Sequence, residues 1–156
     1  MKLEDITNDL NLAKMAARES GKLLVKSKIQ INERLNTDTK DTKLRADIES
    51  ENLIKSLLSA NSDYPILAEE SGSSSKDLGD IFWVVDPLDG TANYHRDIPI
   101  CCVSIGLIYQ MNPILGVVYD FNNDDLYSGD KFSKLSKLDE NEICLLYTSD
   151  AADDRN

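Results

Sequence analysis

Apolar residues recur at three- and four-residue steps along the first part of the chain, which predicts a helix from Asp5 to about Lys28. The apolar stripe consists of Ile6, Leu10, Ala13, Ala17, Gly21 and Leu24. A second helix is predicted from Asp47 to about Ala60, with its buried stripe formed by Ile54, Leu57 and Leu58. The polar stretch between the two, Asn32 to Arg45, predicts a turn or loop.

After the second predicted helix, the pattern changes to short apolar runs separated by turn residues, which is typical of strands. The predicted strands are Tyr64–Ala68, Ile81–Val85, Cys101–Tyr109, Ile114–Tyr119 and a short one near Leu126–Tyr127. Ser71–Gly79 predicts a loop, and Gln110–Pro113 and Asn122–Asp125 predict turns. Helices first and strands afterwards favour an α/β fold of the layered α+β kind, with mainly antiparallel pairing.

Composition and charge narrow the possible functions. The 156 residues are 41% hydrophobic and 29% charged, which is a globular profile. A net charge of −11 excludes binding of nucleic acid or an anionic membrane through bulk electrostatics, so an anionic substrate would need bound cations. The sequence shows no membrane span or signal-peptide layout, and its three cysteines give no disulfide framework, so we expect a reduced, cytoplasmic setting.

Two acidic clusters follow two of the predicted core strands. Glu69-Glu70 comes after Tyr64–Ala68, and the segment Asp86–Thr91 comes after Ile81–Val85. If these strands are neighbours, Glu69, Asp86 and Asp89 meet at one edge of the sheet, where three anions repel one another unless cations bind between them. Hard oxygen ligands with no His or Cys close in sequence favour Mg²⁺ over zinc.

Gly90 and Thr91 add a second element to the same segment. Gly90 allows close approach of the backbone to a ligand, and Thr91 is predicted to be the N-cap of a short helix through Tyr94, whose amides would bind phosphate. Asp-Pro-x-Asp-Gly alone is also ordinary turn chemistry, and a Glu-Glu pair alone is usually a solvated surface. The combination favours a site, because each cluster ends an apolar strand and a short loop separates them.

Several segments together resemble the inositol monophosphatase family of lithium-sensitive, Mg²⁺-dependent phosphatases. They are Glu69–Ser71, Trp83–Tyr94, Ile98-Pro99 and Val103–Gly106, and the resemblance extends upstream through Thr42–Asp47 and downstream through Pro113–Tyr119. The resemblance implies the N-terminal half of the α-β-α-β-α sandwich of the sugar phosphatase fold. It also implies hydrolysis of a phosphate monoester of inositol or a related polyol, with a homodimer as one assembly open to the intact protein.

The resemblance also implies residue roles. Glu69, Asp86, Asp89 and the Leu88 carbonyl match metal-ligand positions. Glu69 and Thr91 match the residues that orient and activate the attacking water, and Asp47 matches the partner of this threonine. The amides of Gly90 and Thr91 match phosphate contacts.

The chain departs from the family pattern in its last part. We expect residues 1–143 to form an incomplete domain, because a further aspartate ligand and most substrate-hydroxyl contacts belong to the family's second half. Residues 144–156 resemble the translation of a sequencing-library adapter rather than natural sequence. The fragment is therefore expected to be impaired as a catalyst.

Three alternatives stay open. A haloacid-dehalogenase-type phosphatase has a similar Asp-x-Asp-Gly-Thr motif, but the aspartates here are three residues apart, and the motif is far from the N-terminus. A 3′(2′),5′-bisphosphate nucleotidase or a fructose-1,6-bisphosphatase would belong to the same superfamily. A metal-binding fragment without catalytic activity is the alternative of another class.

Overall fold

The computed structural model describes residues 3–33, 39–131 and 142–144, with side chains placed for residues 6–28 and 45–131. The helices in this part are α1 (Leu3–Glu33), α2 (Thr39–Asn61) and α3 (Thr91–His95). The strands are β1 (Ile66–Ala68), β2 (Gly72–Ser73), β3 (Ile81–Asp89), β4 (Cys102–Tyr109), β5 (Asn112–Asp120), β6 (Asp125–Asp130) and β7 (Glu142–Cys144).

The described strands form one mixed sheet in the order β2-β1-β3-β4-β5-β6-β7. From β3 to β6 every neighbouring pair is antiparallel, as expected from short turns between consecutive strands. β1 is parallel to β3, and β6 is parallel to β7. The α/β fold class with mainly antiparallel pairing is therefore confirmed.

The two long helices cover one face of this sheet. The predicted stripe of α1 is buried, with Ala13, Ala17 and Leu24 fully inaccessible, and Ile54 and Leu58 of α2 are equally buried. Small side chains let α1 lie close to the strands: a Cβ added at Gly21 would stand 2.5 Å from Tyr119 Cε1 and 2.8 Å from Phe121 Cβ. On the other face, Val84, Ile108, Val118 and Tyr127 are only half-buried.

Several boundaries differ from the prediction. α1 continues to Glu33 instead of ending near Lys28, β5 begins at Asn112 inside the predicted turn, and β6 extends to Asp130. Residues 39–45, expected in a loop, belong to α2, because Lys40, Lys43, Leu44 and Arg45 are good helix formers whose polarity does not oppose a helix. β3 does not stop at Asp86-Pro87 but continues to Asp89. β2 lies inside the predicted Ser71–Gly79 loop.

The last part of the chain shows a further difference from expectation. Cys144, the first residue of the expected adapter-like tail, ends β7 and pairs with Ser128. The rest of that tail, 145–156, lies outside the described residues. Among the helices that the structure describes, α1 and α2 included, none combines the length and apolar character needed to cross a membrane.

We predict that Gly21→Ala lowers the free energy of unfolding by about 1–3 kcal/mol, because the added methyl group must displace Tyr119 or Phe121. Urea denaturation followed by circular dichroism measures the change. Gly116→Ala is the matched control, since a Cβ there meets no atom within 4 Å. Equal stability of both variants would show that α1 does not approach the sheet this closely.

Candidate active site

The two acidic clusters lie beside each other because β1 and β3 run parallel. Ala68 is paired with Val85, and the Glu69 N–H donates to the Val85 carbonyl at 3.1 Å. The next residues along the two strands, Glu69 and Asp86, therefore leave the same edge of the sheet. The expected proximity of the two clusters is present in the fold.

A bulge in β3 shapes the second cluster. The pairing of β3 with β4 shifts between Asp86 and Asp89, so Pro87 and Leu88 fall between the paired positions. Proline has no N–H for a ladder bond, which suits it to such an irregularity. The Asp86 carboxylate turns back and accepts the Leu88 N–H at 3.1 Å, which fixes the start of the bulge.

The capping of α3 differs from the prediction. Gly90, not Thr91, is the N-cap residue, with φ 86° and ψ 32°, and no side chain caps this helix. Glycine is required there, because a Cβ would stand 2.7 Å from the Ile100 carbonyl oxygen and φ lies in the left-handed region. Thr91 is the first helical residue, and its hydroxyl is turned back toward the bulge.

The carboxyl groups of Glu69 and Asp86 interact directly. Burial raises the pKa of Asp86 to about 7, together with a hydrogen bond shared with Glu69, the negative charge of Glu69 and, less strongly, that of Asp89. Three of the predicted ligands thus act on one another electrostatically. A positive charge bound between these two carboxyl groups would favour the ionised form of both.

Asp47 lies at the same site from the side of α2. Its side chain is 2% exposed, and Oδ1 has no hydrogen-bond partner among the described residues. Burial, followed by the charges of Glu70 and Glu69, raises the pKa of Asp47 to about 6. Thr91 Oγ1 lies 3.5 Å from Asp47 Oδ2 but 2.9 Å from the Leu88 carbonyl oxygen, so its single proton is better placed toward Leu88.

Three neighbours of the clusters were missed by sequence reasoning. Ser50 and Glu51, both buried on α2, hydrogen-bond the backbone of the two acidic segments. Cys102 Sγ lies 3.8 Å from Asp89 Oδ2, and burial with the Asp89 and Asp86 charges raises the pKa of this thiol to about 12. The only sequence signal was the helical spacing of Asp47, Ser50 and Glu51, which places them on one face.

The donor set suits a hard divalent cation. It contains carboxylates and the Leu88 carbonyl, and the elevated pKa of Asp86 and the unpartnered Asp47 oxygen indicate excess acceptor capacity and negative charge. Among the described residues, however, no three His, Cys, Asp or Glu side chains stand close enough to form a ready-made metal cluster. The carboxylates would have to close around the cation, which mutual repulsion opposes without it.

Comparison with known proteins identifies the family. Residues 5–150 match the profile of the inositol monophosphatase family, so the chain belongs to this family of phosphatases. The match begins with α1 and extends into the segment that resembles an adapter.

Individual relatives carry different names. The chain is 40% identical over 88 residues to the inositol-1-monophosphatase of Synechocystis sp., covering 56% of this chain and 31% of that protein. It is 35% identical over 132 residues to the fructose-1,6-bisphosphatase/inositol-1-monophosphatase of Aquifex aeolicus, covering 83% of this chain and 50% of that protein. In three dimensions it resembles the extragenic suppressor protein SuhB of Bartonella henselae, with a TM-score of 0.69 and 31% identity over 81% of this chain and 49% of that one. The chain therefore spans half or less of the length of these relatives.

We predict that metal-free protein loses stability as pH rises from about 4 to about 7. The raised pKa values of Asp47 and Asp86 mean that the folded state holds protons that the unfolded state has released, so unfolding becomes easier as these groups ionise. Urea denaturation in EDTA at several pH values measures the slope.

Asp86→Asn should reduce this decline, because the amide cannot ionise and still offers an oxygen to the Leu88 N–H. Asp63→Asn, at an exposed position outside the site, should leave the slope unchanged. A wild-type slope that survives Asp86→Asn in full would contradict the electrostatic account of the pair.

Proposed function

We propose that the full-length gene product hydrolyses a phosphate monoester of inositol or a related polyol by attack of water, with Mg²⁺ as cofactor. The observation that carries the proposal is the parallel pairing of β1 with β3, which brings Glu69 and Asp86 to one edge of the sheet. Membership in a phosphatase family supports the reaction class. The donor chemistry of the edge supports the choice of cation.

In this proposal Glu69, Asp86, Asp89 and the Leu88 carbonyl hold the cation. A Mg²⁺ ion held there would supply a lowered water pKa and positive charge for the phosphate and leaving-group oxygens. Glu69 and Thr91 orient the attacking water, and Glu69 accepts its proton. The Gly90 and Thr91 amides would bind the phosphate, and the missing Cβ at Gly90 lets the chain pass close to the Ile100 carbonyl as it enters α3.

Asp47 sets the direction of the Thr91 hydroxyl. In the fold as described, that hydroxyl donates to the Leu88 carbonyl at 2.9 Å, with the Asp47 carboxylate farther away at 3.5 Å. If Leu88 gives its carbonyl oxygen to the cation, Asp47 becomes the better acceptor for the threonine proton. The threonine oxygen then keeps its lone pairs for a water O–H.

A substrate panel tests the proposal. Phosphate release from inositol 1-phosphate, fructose 1,6-bisphosphate and 3′-phosphoadenosine 5′-phosphate is measured with the full-length gene product, with Mg²⁺ and with EDTA. We expect Mg²⁺-dependent release that is fastest with inositol 1-phosphate. Preference for fructose 1,6-bisphosphate would favour the activity in the name of the Aquifex relative, and preference for the nucleotide would favour a nucleotidase. No Mg²⁺-dependent release from any of them would overturn the proposal.

A stable phosphoenzyme at Asp86 would instead indicate a dehalogenase-type mechanism. If divalent cations bind while no substrate of any class is turned over, the non-enzymatic alternative is favoured. The 156-residue chain alone is expected to turn over far more slowly than the full-length gene product, because it spans half or less of its relatives.

We predict that Asp89→Asn lowers kcat by at least about a hundredfold while the free energy of unfolding stays nearly unchanged. The substitution keeps the shape of an exposed side chain but removes an anionic ligand, and metal stabilisation of the transition state contributes several kcal/mol, of which each ~1.4 kcal/mol is a factor of ten in rate. Phosphate release at saturating substrate measures the effect.

Two variants at adjacent positions provide the matched comparison. Glu69→Gln removes a proposed ligand, whereas Glu70→Gln removes the same charge from a residue that acts on Asp47 through its charge and is not a proposed ligand. We expect loss of activity with the first and a much smaller change with the second. Equal activities would show that Glu69 has no special role.

A further inference from the structure

One turn of α2 contacts both acidic segments. Asp47, Ser50 and Glu51 stand three and four residues apart, and their side chains are 2%, 0% and 3% exposed. Asp47 faces Thr91, Ser50 faces the bulge of β3, and Glu51 faces the turn that follows β1. The proposed function explains Asp47 but gives no role to Ser50 or Glu51.

Ser50 holds the bulge. Its hydroxyl donates to the Pro87 carbonyl oxygen at 3.0 Å, between the two aspartates of the segment. Ser20 Oγ of α1 lies 2.5 Å from Ser50 Oγ. Because the only proton of Ser50 goes to Pro87, Ser20 must be the donor in this second bond. A buried chain of hydroxyls thus connects α1, α2 and the backbone of the bulge.

Glu51 holds the other segment. Its Oε2 accepts the Glu70 N–H at 2.9 Å and the Ser71 N–H at 3.3 Å, so the two amides that follow Glu69 are bound by one carboxylate. Lys55 reaches Oε1 of the same carboxylate at 3.6 Å and donates to Ser71 Oγ at 2.8 Å. Charge-assisted bonds of this kind are stronger than neutral ones.

We propose that Ser50 and Glu51 are positioning residues that fix the distance between the Glu69 turn and the β3 bulge, and thereby set the divalent-cation affinity of the site without ligating the cation. This inference rests on the proposed function, since it assumes that the two segments share a cation.

The anchors act by preorganising the two acidic segments. Glu69 and Asp86 repel each other when ionised, and the described fold brings no third acidic side chain close enough to complete a cluster. Binding therefore requires carboxylates to be held near one another against repulsion. Rigid backbone anchors supply that restraint before the cation arrives, and their loss adds an ordering cost to binding.

The experiment measures Mn²⁺ binding to the full-length gene product from the electron paramagnetic resonance signal of free Mn²⁺. We expect Ser50→Ala and Glu51→Gln each to raise the Kd about tenfold, the lower end of what loss of supporting contacts around a metal costs. Ser128→Ala is the control for Ser50, because it removes a buried hydroxyl on β6, a strand that pairs with neither β1 nor β3. Glu49→Gln is the control for Glu51, because it removes the same charge from an exposed position on the same helix. Both controls should stay within about twofold of wild type.

Glu51→Asp separates position from charge. It keeps the negative charge but shortens the side chain by one methylene, which withdraws the carboxylate from the Glu70 and Ser71 amides. We expect its Kd to rise as in Glu51→Gln. A Kd restored to the wild-type value would mean that Glu51 acts through charge alone, and the inference would be wrong.

Hydrogen exchange without a cation tests directly whether Glu51 holds the amides of Glu70 and Ser71. Hydrogen exchange at the Glu70 and Ser71 amides in EDTA should be faster in both Glu51 variants, whereas the Ser74 amide, which donates to the Ile66 carbonyl, should be unaffected. Unchanged exchange at Glu70 and Ser71 would contradict the anchoring.

Steady-state kinetics at several Mg²⁺ concentrations distinguish a positioning role from a general loss of structure. In Ser50→Ala and Glu51→Gln the Mg²⁺ concentration for half-maximal activity should rise, while kcat at saturating Mg²⁺ stays within about threefold of wild type. Equal affinities in Ser50→Ala and Ser128→Ala, with wild type binding Mn²⁺, would overturn the inference alone. Absence of Mn²⁺ binding by wild type would overturn the proposed function and the inference with it.

Discussion

The parallel pairing of the three-residue strand β1 with β3 is the constraint on which the site depends. Antiparallel neighbours would send their ends to opposite edges of the sheet, but parallel ones bring Glu69 and Asp86 out together. Three further features of the site accompany this pairing. The bulge of β3 turns its backbone at Pro87 and Leu88, Gly90 allows the chain to pass beside Ile100, and α2 lies where it can contact both segments.

Placing like charges together costs free energy, and two features of the fold reduce this cost. The elevated pKa of Asp86 keeps a proton on the Glu69–Asp86 pair through part of the neutral range, which relieves the repulsion. The chain also supplies a lysine and two backbone amides to the supporting acid, Glu51. Burial opposes the ionisation of Glu51, yet hydrogen bonds from Ser71 and Glu70 and the charge of Lys55 lower its pKa. These contacts favour the charged form of the supporting carboxylate, whereas burial and the neighbouring charges favour the protonated form of Asp86.

Patterns of local sequence predicted the elements and the acidic clusters well, but they did not reveal how the clusters are held. The stripes of α1 and α2 followed from periodicity, and the strands followed from apolar runs bounded by turn residues. The start of α2 was placed too late, at Asp47 instead of Thr39, because polarity was taken to indicate a loop in a segment of good helix formers. The cap of α3 was misassigned, since Gly90 has a left-handed conformation that the sequence does not specify. Ser50 and Glu51 could not be interpreted from the sequence, because their partners are main-chain groups far along the chain.

The position of α2 in the chain bears on the order in which the molecule assembles. During synthesis a polypeptide emerges from its N-terminus, and helices form in far less time than strands take to find distant partners. Both α1 and α2 leave the ribosome before either acidic segment does. The Ser50 hydroxyl and the Glu51 carboxylate, which bind Pro87, Glu70 and Ser71, are therefore synthesised before their partners. The Glu69 turn and the β3 bulge thus have their α2 partners earlier in the chain.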